Sequence, residues 1–372
     1  MLTFQIGLHI DDLSLLEYIK DRLNCGHISI SGNKCNYFVN DKTSLIQIIL
    51  PIFKFIKLNS SKYYHFLIFE KAINLIKEKK HLKKEGKSDF FKFYNDMKTP
   101  YLAPHSKEMN NLPLTVNWLG GFTDGDSTFS ILNYKPRLKY ENHIKELNLL
   151  ERIKDFFNIN SNLNITKARI NRPNSNATIS LDITDIHILK NKIVPIFSTL
   201  NGNSNLKSKK LKDFKDWSIV IDIYYFGYHL IPSGKFLITE IKSRWNNFRL
   251  STNNLNKKDK VILTYLKEGA NNLSFEDKLK NLFLLPSPYE IKNSIRFIRG
   301  TNNFVSDSLK IITIDNSNNK TIFSSITECS NALNIDRSKI KNCLITGEIY
   351  KNYKFILVPT NNHSHLCLGK EY

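Results

Sequence analysis

Trp118-Leu119-Gly120-Gly121-Phe122-Thr123-Asp124-Gly125-Asp126-Ser127 is an apolar stretch that closes on acids. Its composition predicts one short helix. Gly121 and Gly125 are four residues apart, so they share a helix face on which another backbone can come close. Asp126 falls where the helix ends. Carbonyls left open there carry partial negative charge, and a carboxylate beside them makes a seat for a cation. Asp124 lies two steps earlier and diverges around the helix, so both acids do not face one ion. Upstream, Asn111-Leu-Pro-Leu-Thr115 opens the helix, and Thr115 is itself a possible cap.

Downstream, the sequence reads as strands and then repeats an earlier pattern. Asp12-Leu-Ser-Leu-Leu-Glu-Tyr-Ile-Lys-Asp21 matches Glu146-Leu-Asn-Leu-Leu-Glu-Arg-Ile-Lys-Asp155, with Asn24 and Asn158 following at equal distance. Both blocks are amphipathic at helical spacing. Ile49-Leu-Pro-Ile-Phe53 matches Ile193-Val-Pro-Ile-Phe197, each a fixed step after an acid, Asp41 or Asp185. Ser61-Lys62-Tyr-Tyr-His-Phe66 then matches Lys209-Lys210-Leu-Lys-Asp-Phe214. Three blocks in one order describe a duplicated α/β unit, with a period too long for a solenoid. Ala177, Ile179, Leu181 and Ile183 alternate with Thr178, Ser180, Asp182 and Thr184, which predicts a half-buried strand with a polar face. Lys167 and Arg169 share a face of the preceding strand, and Arg172 lies in the turn between them. Lys135, Arg137 and Lys139 alternate after the motif, where Pro136 suggests an irregular or edge stretch. In the first copy, strands are expected at His27–Ser31 and Asn36–Val39. That copy begins at Leu2-Thr-Phe-Gln-Ile-Gly-Leu-His-Ile, which aligns with a strand downstream of the motif helix. A first motif helix is therefore not written in this chain.

Composition bounds the partner. The 372 residues carry a net charge of +20, with Phe 24 and Tyr 16 to fill cores, and a pI near 9.5. A polyanion is expected, nucleic acid first and an anionic membrane surface second. The longest apolar run, Ser44–Ile56, holds Pro51 and Lys54 and reads as a core helix instead of a span. Five scattered cysteines without a Cys-x-x-Cys read as free thiols in a reducing compartment. His363 and His365 beside Cys367 have no second ligand pair and read as a disordered tail. Asn, Ile, Lys, Leu, Phe and Tyr dominate; their codons are AT-rich, as in a fungal mitochondrial genome.

The segment Lys77–Lys87 reads as a charged connector. Residues 253–305 read as an extended linker. Beyond it, Leu309–Asp315 predicts a strand, Ser325-Ile-Thr-Glu328 a capping box opening a helix to Leu333, Arg337–Leu344 a second helix bearing Arg337, Lys339 and Lys341, and Tyr350–Ile356 a closing strand. Two short helices about a tight turn, the second basic, have helix-turn-helix geometry.

Leu119–Ser127 resembles the signature of the LAGLIDADG homing endonucleases, and residues 306–360 resemble the nuclease-associated modular domain appended to many intron-encoded nucleases. The resemblance covers almost all of residues 1–360. It implies an α+β fold of duplicated αββαββα units with curved DNA-binding sheets, the first motif helix missing, plus a small helix-turn-helix-like module. The expected division is 1–95 for the first repeat, 96–252 for the second, 253–305 for the linker, 306–360 for the module and 361–372 for the tail. The implied activity is group I intron homing by a site-specific endonuclease, which hydrolyses DNA with Mg2+ or another divalent cation. Carried over by position, Asp126 binds the metal, Asp124 is structural with Gly121 and Gly125, and Lys210 and Lys62 stand near the reacting phosphate. Lys135, Arg137, Lys139, Lys167, Arg169, Arg172, Arg337, Lys339 and Lys341 are the nucleic-acid contacts. Ser127 stands where the family writes a final glycine.

The partner implied is a double-stranded DNA target, with no membrane, in the matrix of a mitochondrion whose own genome encodes the chain. Some family members instead act as RNA maturases, binding their own group I intron RNA and assisting splicing with cleavage weak or lost. A transcription regulator using the helix-turn-helix alone leaves the duplication unexplained. Cutting two strands takes two acids. With Asp126 alone, the chain is expected either to be a fragment of a longer exon-fused frame or to have decayed in catalysis, and its exposed motif helix invites association.

Overall fold

The computed structural model describes residues 2–98, 112–159, 161–168, 176–198, 204–245, 273–292, 295–305 and 310–358. The fold is α+β, with antiparallel sheets throughout. The chain divides into two compact units. One is formed by Met1–Ser130, Arg137–Ile183 and Lys192–Asp216, the other by Ile131–Pro136, Thr184–Asn191 and Trp217–Tyr372.

In the first unit, β1 (Phe4–His9) and β2 (His27–Ser31) flank β3 (Lys34–Val39), and α1 (Leu13–Leu23) joins β1 to β2. Cys35, Tyr37 and Val39 turn inward on β3 and pack with Leu16 of α1. The helical run after β3 has three pieces, Lys42–Ser44, a π turn Leu45–Ile49, and Leu50–Phe55. Pro51 has no N–H to give the ladder, and the turn before it widens so that Leu50 N–H reaches Leu45 O. Asp41 caps the run through Ser44 N at 2.7 Å. Then come α2 (Lys62–Lys77) and α3 (Lys84–Lys98). The expected charged connector is thus largely helical. It holds the end of α2, a 3-10 turn at Lys80–Leu82 and the start of α3, and its lysines are exposed on all three.

The motif helix α4 (Val116–Asp126) follows, with Thr115 Oγ1 accepting from Trp118 N at 3.2 Å. A four-stranded sheet comes next in the order β4-β5-β7-β6, from β4 (Ser127–Leu132), β5 (Lys135–His143), β6 (Asn164–Thr166) and β7 (Thr178–Ile183). Pro136 does not mark an edge. It is the second residue of β5, a strand that lies between β4 and β7, and it precedes the first β5–β7 pair, Leu138 with Ile183. Lys167 lies past the end of β6, and Arg169 and Arg172 fall outside the described residues. α5 (Leu147–Phe156) matches α1. The asparagines that follow both helices turn left-handed, Asn24 with φ 48 and Asn158 with φ 50. The π turn also recurs, at Leu189–Ile193 before Val194–Phe197 with its Pro195, and Asp185 caps that run through His187 N and Ile188 N. α6 (Lys210–Tyr225) closes the repeat.

In the second unit, α7 (Pro232–Ser243) and α8 (Phe275–Leu284) bury Val220, Leu237, Ile238, Ile241 and Leu282. A hairpin of β8 (Tyr289–Lys292) and β9 (Ile295–Ile298) follows. Arg296 is buried, donating to Tyr225 O at 3.0 Å and lying 2.9 Å from His187 Nε2. The described part of the expected linker is therefore folded. Its Asn- and Lys-rich composition hid an apolar seam, Phe275, Leu279 and Leu282. The last module is a sheet ordered β11-β10-β12, from β10 (Lys310–Ile314), β11 (Lys320–Phe323) and β12 (Lys354–Val358), with α9 (Ile326–Leu333) and α10 (Arg337–Thr346) packed on it. β11 had no counterpart in the sequence reading. Asn334, φ 50, makes the turn between the helices. The expected capping box is displaced by one residue: Ser325 caps Glu328 N, while Glu328 returns to Ser324 N at 2.7 Å.

Candidate active site and nucleic-acid surface

The three glycines of α4 serve two faces. A Cβ on Gly120 would stand 2.2 Å from Asn205 O, so this glycine admits the segment before α6. A Cβ on Gly121 or Gly125 would meet nothing within 4 Å. The close backbone approach within this chain is made at Gly120, and the face of Gly121 and Gly125 is open, as expected where the first motif helix is not written. The doubled glycine was the available signal: only one of two neighbours can face a given partner.

Asp124 is tied inward. Its Oδ2 accepts from Lys207 N at 2.7 Å and Ser208 N at 3.3 Å, and its Oδ1 accepts from Ser208 Oγ at 2.5 Å. Burial raises its carboxyl above the ordinary range, against the lowering effect of those bonds and of Lys210. Asp126 is exposed at the last residue of α4. The helix end also receives Lys210, whose Nζ donates to Thr123 O at 3.0 Å and Ser127 O at 2.6 Å. Burial pulls this ammonium below its ordinary range, while the carboxylates of Asp124, Asp126, Asp12 and Asp213 push it up. Ser127 Oγ donates to Thr123 O at 2.7 Å, so serine at this place ties the last turn. Trp118, Phe122 and Tyr140 stack in sequence at 5.0 and 5.9 Å, and Tyr140 OH bonds Thr123 Oγ1 at 2.8 Å in the core.

Lys62 starts α2 as Lys210 starts α6, yet its side chain is exposed. Among the described residues no hydrogen bond or ion pair joins Lys62 to Asp126 or Lys210. The donor set at the end of α4 is one free carboxylate. Among the described residues, no three His, Cys, Asp or Glu side chains group as a metal cage. One carboxylate fits a hard divalent cation that completes its shell with water and phosphate oxygens, as Mg2+ does. It does not fit a cation held by protein alone.

The polar face of the four-stranded sheet is networked. Arg137 lies 3.3 Å from Asp182 and donates through Nε to Ser130 Oγ at 3.1 Å. Asn164 and Ser180 also donate to Asp182. Lys139 pairs with Glu141 at 2.6 Å. Lys135 and Lys167 are exposed. Sequence reasoning named the cations of this face and placed Asp182 on it, but missed Glu141 and the pairing of Arg137 with Asp182 and Lys139 with Glu141. In the C-terminal module Arg337 is exposed, while Lys339 and Lys341 lie over the rings of Tyr350 and Phe304 at 5.0 and 5.4 Å. Among the described residues no helix is long and apolar enough to cross a membrane.

Residues 1–73 and 119–221 match the LAGLIDADG endonuclease family, and residues 313–344 match the NUMOD1 domain. A probable intron-encoded endonuclease of Neurospora crassa is 24% identical over 260 residues, covering 63% of this chain and 46% of the relative. The chain thus spans about half the length of that relative. An uncharacterised mitochondrial protein of Saccharomyces cerevisiae is 22% identical over 379 residues, covering 94% of this chain and 74% of that one. Among solved structures, the LAGLIDADG homing endonuclease I-GzeII in complex with its DNA target is 28% identical with a TM-score of 0.55, covering 66% of this chain and 89% of that one. The chain belongs to the LAGLIDADG endonuclease family.

Proposed function

We propose that this family member is a site-specific, divalent-metal-dependent DNA endonuclease encoded within a group I intron and serving its homing. The observation that carries the reading is the convergence of Lys210 and Asp126 on the end of α4, one amine and one free carboxylate at a single helix terminus. When bound there, a cation such as Mg2+ supplies charge neutralisation at the scissile phosphate and activation of water. Asp126 orients that cation. Lys210, fixed by two carbonyls, offers positive charge to the oxygen that gains charge as the bond breaks. Asp124 holds the start of α6 in place. Arg137, Lys139, Lys135 and Lys167 face the duplex, with Arg169 and Arg172 proposed beside them, and Arg337 on the module extends the contact. The open Gly121 and Gly125 face suits a second motif helix, which brings the second acid. Phe55, 90% exposed, and Ile56, exposed at the end of the Leu50–Phe55 helix, are a separate apolar position open to a partner. The AT-rich residue usage and the Saccharomyces relative support a mitochondrial setting.

One observation favours a second reading, an RNA maturase assisting splicing of its own group I intron. Lys62 is exposed at the start of α2 and, among the described residues, has no hydrogen bond or ion pair to Asp126 or Lys210, as suits phosphate binding without a metal pair. The deciding experiment incubates purified protein and Asp126→Asn with Mg2+ and DNA spanning the intronless exon junction. Double-strand cleavage lost in the variant supports the endonuclease with a second acid from a partner helix. Nicking of one strand fits Asp126 acting alone. Absence of cleavage together with tight, Mg2+-independent binding of the intron RNA favours the maturase.

A further inference from the structure

The residue before Lys210 is held by the other repeat. Lys209 N donates to Asp12 Oδ1 at 2.8 Å, and Lys209 Nζ pairs with Asp11 at 3.0 Å. Asp12 is 9% exposed. On the opposite side, Ser208 is held by Asp124 of α4. The two residues that lead into α6 are therefore gripped by carboxylates from two elements, and the next residue, Lys210, delivers its ammonium to the end of α4. A carboxylate on an open N–H at a helix start is a strong, directional contact.

The arrangement occurs twice. Glu146 stands in the second repeat where Asp12 stands in the first, and it is 6% exposed. Both of its oxygens accept from Ser61 N at 3.1 Å, and Ser61 precedes Lys62 as Lys209 precedes Lys210. Even the flanking residues agree, since His9 Nδ1 accepts from Asp11 N at 3.3 Å and His143 Nδ1 from Lys145 N at 3.2 Å. A cap from within the same repeat would stabilise either helix equally well. Exchanging the carboxylates makes each repeat locate the other repeat's lysine.

We propose that Asp12 is a positioning residue, by which the first repeat sets the place of Lys210 at the end of the motif helix. The proposal rests on the reading of Lys210 as the charge-balancing group, and its test is chosen to stand apart from that reading. Full-length wild type, Asp12→Asn, Asp12→Glu and Glu146→Gln are acetylated with sulfo-N-hydroxysuccinimide acetate, and the labelling rate of each lysine is read by mass spectrometry. In Asp12→Asn, Lys210 is expected to label roughly tenfold faster, because a loosened helix start releases its two carbonyl bonds. Asp12→Glu keeps the carboxylate, as the second repeat does naturally, and stays near wild type. Glu146→Gln is the matched loss of a cap elsewhere and leaves Lys210 protected. On cleaved DNA, Asp12→Asn lowers the single-turnover rate by roughly 10- to 100-fold with little change in DNA affinity, the cost of misplacing a group by about 1 Å. Wild-type labelling of Lys210 in Asp12→Asn, or equal labelling in Asp12→Asn and Glu146→Gln, overturns the proposal and leaves Asp12 a helix cap. A wild-type protein that cuts no DNA sinks the nuclease reading alone, since the labelling comparison needs no substrate.

Discussion

Alanine at Gly120 and alanine at Gly121 are neighbouring changes with opposite expected signs. At Gly120 the new Cβ would lie 2.2 Å from Asn205 O and 2.9 Å from Asn205 C. That is about 1 Å inside the closest approach that carbon and oxygen tolerate, so backbone has to retreat. The retreating segment is anchored by Asn205 Nδ2 to Ile196 O at 2.7 Å, Ser204 Oγ to Phe197 O at 2.7 Å, and Lys207 N to Asp124 at 2.7 Å. Overpacking costs about 1–3 kcal/mol, and weakening a hydrogen bond to a charged group adds about 1.5–3 kcal/mol. The better helix propensity of alanine returns about 1 kcal/mol. A net loss of about 1.5–5 kcal/mol is expected for Gly120→Ala. Gly121→Ala meets open space and is expected to gain about 0.5–1 kcal/mol. Urea unfolding of both variants at low protein concentration, followed by circular dichroism, measures the difference. If Gly120→Ala unfolds at or above the wild-type midpoint, α4 does not approach Asn205 in solution, and the positioning of Asp124 and Lys210 built on that approach is refuted.

Tyr140→Phe removes the partner of Thr123 Oγ1 inside a fully buried site and is expected to cost about 1–3 kcal/mol in the same assay; an unchanged midpoint would mean that the hydroxyl finds another partner. His65 is held below its ordinary value of 6.5 by burial and by the charges of Lys145 and Lys62. The folded state therefore resists protonating it, and its contribution to stability is present above pH 6.5 and lost as pH falls through the lowered value. His65→Phe should flatten the fall in stability below pH 6.5, and an unaltered profile would assign that fall to other groups. Arg137→Ala should weaken binding of a cleaved target by about 1–3 kcal/mol in filter binding if the side chain reads a base; equal affinity would leave Arg137 as a partner of Asp182 alone. Gly121→Leu is expected to abolish concentration-dependent association in sedimentation without lowering the monomer's unfolding midpoint, and unchanged association would exclude the open face as the contact.

Much of the molecule was legible from local pattern. The alternation of Ile179, Leu181 and Ile183 specified a strand and its buried side, because side chains on a strand alternate by geometry. The paired Pro51 and Pro195 blocks and the left-handed Asn24 and Asn158 are local backbone chemistry, so a sequence repeat became a structural one. Asp126 at a helix end beside Lys210 also came from aligned position. The described helix α8 went unread because its apolar seam is sparse and completes itself against α6 and α7. β11 went unread because Lys320–Phe323 is mostly exposed and is a strand only by pairing with β10.

The sequence by itself determined the elements, the duplication, the basic surface and the acid at the end of α4. Each of these depends on residues within a turn or two of one another, where spacing translates directly into geometry. Tertiary structure decided which glycine is packed, that Glu141 and Asp182 hold Arg137 and Lys139, and that Asp12 grips Lys209 from a sequence distance of 197 residues. Such contacts are fixed by the direction in which a side chain leaves the completed fold, and no periodicity along the chain encodes the atom it will meet there.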